Sequence, residues 1–472
     1  MTLTPSSLAA PTRSPSPLTA LGLLTLLLGA SLSSIDFFIV NVALPGIERD
    51  LHASPATLEM VVAGYAVAYA VLLVLGGRLG DTYGRRKLFL WGVAAFGVTS
   101  LACGLAPGAW WLVGGRVAQG AASALMLPQV LGTLHATTRG ERRARAVALY
   151  GAVSGIAGLV GQVLGGALVA ADLGGTGWRA AFLVNVPVAG AALLAGVRAV
   201  PDSRAERPAR SDALGTVLFA AALTALLLPL TEGRTAGWPL WSVLLLIAAP
   251  LLGRAFGAVE GRAERAGGSP LLPPSLLRDP AVRRSLVLGL PVFVGFSGFM
   301  FCFAITLQQA LGHGALEAGL TVIPMGLTQA VASMLVPRLV RRWGTRAMTG
   351  AALVHVAGLV VLALTVLRSA SGPLPFAPGL LLCGLGQGVE LALYYRIALS
   401  AVPAARAGAG SGLTATVQQA CLALGVATVG SLFLALVPEM GAREAFVCAL
   451  GVQVAGLVGL AGLSLRLPRG VR

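Results

Sequence analysis

Charged residues are scarce in this chain, which has 472 residues of which only 11% are Asp, Glu, Lys or Arg. A soluble domain usually carries about 25% charged residues. Hydrophobic residues make up 56% of the chain, and its mean hydropathy is +0.84. This composition argues against a soluble fold and predicts an all-α integral membrane protein. It leaves no room for a sizeable soluble domain, such as a membrane-bound sensor would need.

The sequence also lacks the motifs of membrane pumps and enzymes. Its single lysine, Lys87, follows Arg86, so there is no GxxxxGK[ST] phosphate loop, and there is no HExxH zinc motif. We therefore expect neither an ATP-driven pump nor a membrane enzyme, and we predict no cofactor and no metal. The five cysteines lie inside apolar runs without CxxC spacing, which favours structural filling over a disulfide or metal role. They are Cys103, Cys302, Cys383, Cys421 and Cys448.

Apolar runs long enough to cross a bilayer recur along the whole chain, separated by charged or Gly/Pro-rich breaks. They predict fourteen transmembrane helices. The predicted spans lie near 18–44, 57–76, 88–106, 109–134, 146–170, 180–197, 212–231, 240–258, 285–311, 318–337, 347–367, 375–395, 409–436 and 445–465. Residues 1–17 and 467–472 are predicted to be tails, the first of them disordered.

The basic residues support this series of spans. The net charge is +16, but the basic residues form small groups rather than the single patch of a nucleic-acid-binding protein, so no nucleic-acid partner is expected. The two tails and the even-numbered connections hold 28 of the 34 basic residues, and the odd-numbered connections hold 5. Because cytoplasmic loops carry the excess of Lys and Arg, both termini are predicted to lie in the cytoplasm.

A loop pattern occurs twice, at residues 77–86 and 337–346, where Arg, Leu, an aromatic residue, Gly and Arg recur in register. The offset of 260 residues corresponds to six helices plus an inserted pair. We therefore predict an N-terminal six-helix bundle at 18–200, two inserted helices with their linker at 201–284, and a C-terminal six-helix bundle at 285–466. Internal repeats of this kind are typical of secondary transporters, whose substrate site lies between the halves.

Short motifs elsewhere point to one family. The loop at 77–86 contributes Gly77, Leu79, Asp81, Gly84, Arg85 and Arg86, and the first helix contributes Ile35-Asp36 and the run from Val40 to Pro45. Further motif residues are Arg116, Gln119 and Gly120, followed by Trp178-Arg179, Phe182 and Asn185-Val186-Pro187. In the fifth helix they are Gly161, Gly165 and Gly166, with Gln162 where a proline is usual. With these residues the chain resembles the fourteen-helix drug:proton antiporter group of the major facilitator superfamily.

Asp36 and Arg116 are the predicted proton-coupling residues. An ionisable group inside the membrane is expensive and is by default functional. Both residues lie roughly 10–14 Å from the same predicted membrane face, given a rise of 1.5 Å per helical residue, so they are expected to be able to pair. Burial favours a neutral carboxyl group and a nearby arginine favours a charged one. A changing distance would therefore load and release a proton, whereas a permanent pair would only join two helices.

Glu390 is the second acidic residue predicted to lie well within a span, and Gln387 and Tyr394 share its helix face. This face is predicted to bind a cationic or amphipathic substrate, with Asn41 and Gln119 as further contacts. Two alternatives are a polar contact between helices and an ion pair with Arg396. His355 stands alone among aliphatic residues, and no role is predicted for it.

Two regions are predicted to act as conformational switches. In the loop, these residues are Gly77, Asp81, Gly84, Arg85 and Arg86. In the resembled family this loop latches the two halves together in one state, although basic residues there would anchor the topology of any membrane protein. In the fifth helix they are Gly158, Gly161, Gln162, Gly165 and Gly166, where small residues allow another helix to approach closely, either as a sliding seam or as tight packing.

These features together predict a proton-coupled antiporter that exports hydrophobic or cationic organic compounds by alternating access. The proton coupling depends on the family resemblance together with Asp36. The predicted partners are a small organic substrate, the proton and the lipid bilayer, and the protein is expected to act as a monomer in the plasma membrane. Export of one compound that the cell makes itself is the main alternative.

Overall fold

The computed structural model describes residues 18–203, 213–233, 237–268, 270, 274–368, 372–400 and 407–465. The predicted tails and most of the linker at 204–212 lie outside this part of the chain. Within it there are helices and connecting turns but no β-strand. The prediction of an all-helical protein is thus confirmed for the described residues.

The long helices follow one another with short connections, and we label them α1 to α14 in chain order. They are α1 (Ala20–Leu51), α2 (Pro55–Tyr83), α3 (Arg85–Gly104), α4 (Ala109–Thr137), α5 (Gly140–Ala171), α6 (Gly177–Ala199), α7 (Ala213–Glu232), α8 (Leu240–Arg265), α9 (Pro280–Ala310), α10 (Ala315–Trp343), α11 (Arg346–Leu367), α12 (Ala377–Ser400), α13 (Ala407–Gly425, continued by Ser431–Met440) and α14 (Ala442–Leu465).

Twelve of these helices are long and apolar enough to cross a membrane. The other two, α5 and α7, contain the shorter apolar stretches Ile156–Ala171 and Leu214–Leu230. Several helices extend beyond the predicted spans, since α1 continues past Pro45 and α5 begins among arginines at Gly140. The predicted spans end at the first polar residues, whereas a helix can continue into the polar region that borders a membrane.

Local sequence explains where the first helices begin and end. The hydroxyl of Thr19 accepts a hydrogen bond from the backbone N–H of Gly22 at 3.0 Å, which caps the start of α1. Ser54 caps α2 in the same way, and Pro55 occupies the first helical position. Gly84 has a φ of 103°, a conformation that L residues rarely adopt, and it allows the sharp turn between α2 and α3.

The same pairs of helices pack together in the two halves of the chain. In the first half, α2 and α3 contact α4, while α1 contacts α5 and α6, and α3 contacts α6. In the second half, α10 and α11 contact α12, while α9 contacts α13 and α14, and α11 contacts α14. The packing pattern therefore recurs with an offset of eight helices, as a duplication with two helices inserted between the copies would produce.

The halves meet where α5 packs on α10, α2 on α13, and α1 on α9. The pair α7 and α8 lies beside this seam, because α7 contacts α2 and α13. Much of the surface of α8 is apolar and exposed, including Leu240, Ile247 and Leu251. Such a surface is stable against lipid rather than water, so α8 fits a position at the membrane-facing edge.

Candidate functional site

A buried cluster of polar residues surrounds Asp36 in the middle of α1. Asp36 is completely buried and forms a salt bridge with Nη1 of Arg116 on α4. Its Oδ1 accepts hydrogen bonds from Nε2 of Gln119 at 2.8 Å and from Nδ2 of Asn185 on α6 at 2.7 Å. Three helices of the first half thus meet at one carboxylate, whose two oxygens both have donors.

Arg116 is held in place from several sides. Its Nη1 also donates to Oε1 of Gln119 at 2.7 Å, and its Nε donates to the backbone carbonyl of Val61 at 3.0 Å. Its guanidinium carbon lies 4.4 Å from the ring centre of Tyr65, a distance at which a cation is attracted to an aromatic face. Gln119 follows Arg116 by three residues on α4, so both side chains reach α1 from the same helix face.

Tyr65 links this cluster to a second layer of hydrogen bonds. Its hydroxyl lies 2.6 Å from Oγ of Ser33 and 2.7 Å from Oγ of Ser123. Within the described residues, Nη2 of Arg116 has no hydrogen-bond acceptor. The geometry brings Asp36 and Arg116 together as the sequence predicted. It also adds Asn185, for which no role was predicted although it lies in a recognised motif and in an apolar run.

A second buried pair joins α11 and α12. Glu390 is completely buried, and its carboxylate oxygens lie 3.1 and 3.3 Å from Nδ1 of His355. Among the described residues Glu390 therefore pairs with His355 and not with Arg396. His355 was not predicted as this partner, because a lone histidine in an apolar helix gives no information about the facing helix.

We expect the variant His355→Leu to lower the midpoint of thermal unfolding of the purified protein. It leaves the carboxyl group of Glu390 buried without its observed partner, and leaving a buried polar group without its hydrogen bond costs about 1–3 kcal/mol. The double variant with Glu390→Leu is the control and is expected to recover most of the loss. An unchanged unfolding midpoint in His355→Leu would show that the contact contributes nothing to stability.

The other predicted substrate contacts are also buried in this conformation. They are Gln387 and Tyr394 on α12, Asn41 on α1, and Gln119 in the cluster described above. Within the described residues, Oε1 of Gln387, the hydroxyl of Tyr394 and Oδ1 of Asn41 have no hydrogen-bond partner. Buried polar atoms are usually paired. The two amide oxygens are therefore free to accept a hydrogen bond from water or a ligand, and the hydroxyl is free to donate or accept one.

A narrow cavity of about 20 Å³, room for about one water molecule, lies between the two halves. Residues of α1, α5, α9 and α10 line it: Phe38, Gly158, Leu159, Gln162, Phe296, Met300, Val322, Met325, Gly326 and Gln329. Two of these residues carry amides and none is charged. Of the predicted site residues, Gly158 and Gln162 line this cavity, whereas the predicted substrate contacts do not.

The glycines of α5 allow close approach to helices of both halves. A Cβ atom at Gly161 would lie 2.6 Å from the backbone carbonyl oxygen of Ile35, and one at Gly158 would lie 3.2 Å from the ring of Phe38. Gly165 similarly faces Ile39 of α1, and Gly166 faces the carbonyl of Ala315 at the start of α10. The α5 glycines therefore form a seam that contacts α1 on one side and α10 on the other.

The loop between α2 and α3 makes its described contacts within the first half and with the linker region. Arg85 forms a salt bridge of 2.6 Å with Asp81, and its backbone N–H donates to the carbonyl of Ser203 at 3.0 Å. Arg86 donates to the carbonyl of Val197 at the end of α6. A Cβ atom at Gly77 would meet Pro128 of α4 at an ordinary distance of 3.6 Å.

Polar contacts connect the two halves at the opposite end of the bundle. Nε2 of Gln309 donates to Oε2 of Glu48 at 2.6 Å, which joins the ends of α9 and α1. Glu59 near the start of α2 is completely buried and accepts a hydrogen bond from Ser431 of α13. No role was predicted for Glu59, because it lies at the very start of the predicted span 57–76, next to the polar connection between α1 and α2.

Comparison with known proteins identifies the family to which this arrangement belongs. Residues 26–426 match the family model described as Major Facilitator Superfamily. A protein described as a probable actinorhodin transporter, from Streptomyces coelicolor, is 36% identical over 417 residues, covering 88% of this chain and 72% of that protein. The tetracenomycin C resistance and export protein of Streptomyces glaucescens is 33% identical over 442 residues, covering 90% and 80%.

Other relatives and solved structures agree with this assignment. The puromycin resistance protein of Streptomyces alboniger is 35% identical over 455 residues, covering 94% of this chain and 86% of that protein. A crystal structure of a POT family transporter superposes with a TM-score of 0.67 at 12% identity, covering 94% of this chain and 96% of that one. A bacterial homolog of the human lysosomal transporter Spinster superposes with a TM-score of 0.64 at 19% identity, covering 94% and 95%. The chain belongs to the Major Facilitator Superfamily.

Proposed function

We propose that this protein is a proton-coupled antiporter that exports small organic compounds across the plasma membrane by alternating access. The observation that carries the proposal is the buried salt bridge between Asp36 on α1 and Arg116 on α4. The helix that carries Asp36, α1, also lines the cavity between the halves. The names of the relatives support the direction of transport, since they describe antibiotic export, antibiotic resistance and multidrug efflux.

Proton transfer at Asp36 follows from the geometry of α1. Asp36 and Phe38 are two residues apart, so they point to nearly opposite sides of the helix. Asp36 faces α4 and α6, whereas Phe38 lines the cavity and contacts α9 through Phe296, with ring centres 5.3 Å apart. A movement of α1 that accompanies substrate binding would change the distance from Asp36 to Arg116. The carboxylate would then take up a proton when Arg116 withdraws and release it when Arg116 returns.

The two ends of the bundle are proposed to open alternately. Contacts from Glu48 to Gln309, from Glu59 to Ser431 and along the α5 seam join the halves at one end. At the other end, Asp81 pairs with Arg85 inside its own half, so it is free to exchange this partner when the halves approach. The proposed switch residues of the loop are Gly77, Asp81, Gly84, Arg85 and Arg86, and those of α5 are Gly158, Gly161, Gln162, Gly165 and Gly166.

We also propose the topology that the sequence predicts. In this proposal α5 and α7 cross the membrane with the twelve apolar helices, and both termini lie in the cytoplasm. The end joined by Glu48 and Gln309 then faces the exterior. The bundles at 18–200 and 285–466 are the moving halves, and the inserted region at 201–284 lies at their edge. The protein is proposed to work as a monomer.

Substrate contacts are proposed at two places. The cavity between the halves is one, since it is formed by helices that must move relative to each other. The second place is a set of buried polar side chains, which we propose to contact the substrate at another step of the transport cycle: Asn41, Gln387, Tyr394, Glu390 and Gln119. Three of them have a polar atom without a partner in the described residues, which supports this role.

The relatives include proteins named for one antibiotic and others named for multidrug resistance. Dedicated export of a single compound is therefore the second candidate function. Transport of a panel of unrelated compounds distinguishes the two, because a dedicated exporter is expected to move one structural class only.

The proposed antiport is tested with purified protein in liposomes under an imposed pH gradient. We expect a substrate to accumulate on the acidic side of the membrane, because inward proton flow drives outward transport. Reversing the gradient is expected to reverse the accumulation, and dissipating it with a protonophore is expected to abolish it. Accumulation that is indifferent to the gradient would contradict proton coupling.

A further inference from the structure

Arg116 has to keep its positive charge buried while its counter-ion Asp36 gains and loses a proton. Both side chains are completely buried. A guanidinium group is effectively always charged in proteins, so Arg116 stays a cation when Asp36 becomes neutral. A buried charge without compensation is strongly destabilising. The protonated state of Asp36 therefore requires another source of stabilisation for Arg116.

Hydrogen bonds to neutral acceptors supply one part of this stabilisation. Nε of Arg116 donates to the carbonyl of Val61 at 3.0 Å, and Nη1 donates to Oε1 of Gln119 at 2.7 Å. Within the described residues Nη2 has no acceptor. These neutral groups thus satisfy only part of the guanidinium, and they carry no net negative charge.

Two aromatic rings face the guanidinium and supply a second part. Its central carbon lies 4.4 Å from the ring centre of Tyr65 on α2 and 5.8 Å from that of Phe182 on α6. Both rings are buried, where the attraction between a cation and a ring is stronger than in water. The face of a ring carries partial negative charge, so it attracts the cation without taking up a proton.

The hydroxyl of Tyr65 keeps its ring in this position. The hydroxyl oxygen lies 2.6 Å from Oγ of Ser33, 3.0 Å from the backbone carbonyl oxygen of Ser33 and 2.7 Å from Oγ of Ser123. Ser33 is on α1 with Asp36, and Ser123 is on α4 with Arg116. The ring is therefore fixed to both helices that carry the charged pair.

A ring in this position distinguishes the two protonation states of Asp36. The ring face attracts the positive member of an ion pair and repels the negative member, so its net effect on the intact pair is small. Once Asp36 is neutral, only the attraction to Arg116 remains. The ring therefore stabilises the protonated state more than the ionised state.

We propose that Tyr65 is a positioning residue that stabilises Arg116 as a lone cation while Asp36 carries the proton, with Phe182 as the second ring. The inference rests on the proposed proton uptake at Asp36. It deepens that function by naming the groups that compensate Arg116 when its counter-ion is neutralised.

Unfolding midpoints of the purified protein test the proposal without substrate or gradient. We expect Tyr65→Leu to lower the midpoint more in the Asp36→Asn background, where Arg116 is a lone cation, than in the wild type. Tyr65→Phe retains the ring, so its loss of hydrogen bonds is expected to lower the midpoint equally in both backgrounds. An equal or smaller effect of Tyr65→Leu in the Asp36→Asn background would overturn the proposal.

Tyr69→Leu is the matched control for the loss of a buried tyrosine from α2. Tyr69 lies one helical turn beyond Tyr65, with 6.1 Å between the ring centres, and is 3% exposed. The described ring contacts of Arg116 involve Tyr65 and Phe182. We expect Tyr69→Leu to lower the midpoint equally in both backgrounds. A dependence on Asp36 as large as that of Tyr65→Leu would show a general packing effect and overturn the assignment of Tyr65.

Infrared difference spectroscopy of the protein in liposomes gives a second measurement that retains Asp36. The carboxyl band of Asp36 is identified by its absence from the double variant Asp36→Asn with Arg116→Gln. We expect half-protonation in Tyr65→Leu to need about fivefold to thirtyfold more protons than in Tyr65→Phe, which corresponds to one buried contact between a cation and a ring. Equal proton concentrations would overturn the proposal.

The comparison of these two variants removes other titrations from the measured difference. Both lack the hydroxyl of Tyr65. Cys103 on α3 is a further titratable group beside the charged pair, with its Sγ 3.9 Å from Oε1 of Gln119, and it is the same in both variants. The measured difference therefore reports the ring.

Transport measurements separate this proposal from the proposed antiport. If the effect of Tyr65→Leu depends on Asp36 as expected but export ignores the pH gradient, the antiport fails and the role of Tyr65 stands. If export follows the gradient and Tyr65→Leu has the same effect in both backgrounds, the antiport stands and the role of Tyr65 fails.

Discussion

Asp36→Asn is expected to reduce gradient-driven export to the background of protein-free liposomes. The variant retains a side chain of similar shape, but its amide cannot exchange a proton at neutral pH. It also leaves the guanidinium of Arg116 buried without a counter-charge. Breaking a buried charged pair costs about 3–5 kcal/mol, so the midpoint of thermal unfolding is expected to fall as well.

The double variant Asp36→Asn with Arg116→Gln separates proton coupling from stability. It replaces the charged pair by two neutral groups that can still hydrogen-bond, so we expect the unfolding midpoint to return towards that of the wild type. Coupling is not expected to return, because no titratable group replaces Asp36. If the double variant regained both stability and gradient-driven export, the pair would only hold α1 against α4.

Joining Glu48 and Gln309 covalently is expected to stop transport. These side chains connect the two halves at one end of the bundle, with 2.6 Å between Gln309 Nε2 and Glu48 Oε2. The experiment uses Glu48→Cys with Gln309→Cys and a short bifunctional methanethiosulfonate reagent. The exposed Cys448 is replaced by serine, while the other cysteines are buried. Because alternating access requires this end to open, the cross-linked protein is expected to be inactive until a thiol reductant releases it.

A cross-link inside one helix is the matched control. Glu141 and Arg145 are one turn apart on α5 and form an exposed salt bridge of 2.6 Å. Cysteines at these positions, treated with the same reagent, are expected to leave transport unchanged. Full activity of the protein cross-linked between Glu48→Cys and Gln309→Cys would mean that this end does not open during transport.

The contact between Asp36 and Arg116 was predictable because depth in the membrane restricts the partners of a charge. Each residue lies a similar number of positions from the outer end of its predicted span, and opposite charges at the same depth in an apolar region stabilise each other. The helices were predictable for a related reason, since every backbone polar group must be paired inside its own segment when lipid surrounds it. The sequence was therefore sufficient to predict the apolar helices and the contact between Asp36 and Arg116.

The partners of Glu390 and Glu59 were not predictable in the same way. His355 approaches Glu390 from the preceding helix and Ser431 approaches Glu59 from the other half of the chain, and the rotational positions of these helices depend on tertiary packing. Rotation also determines which residues line the cavity. Gln162 was predicted from the motif on α5, whereas Gln329 and Phe296 have no sequence signal that distinguishes them from other residues of an apolar helix.

The most direct test of the account is to measure proton movement that is driven by substrate alone. Liposomes containing the purified protein are loaded with a compound that the protein exports under a pH gradient, diluted into substrate-free buffer at equal pH, and followed with an internal pH indicator. We predict a proton flux opposite to the substrate flux in the wild type and none in Asp36→Asn. Substrate efflux through the wild type without any change of internal pH would contradict the account.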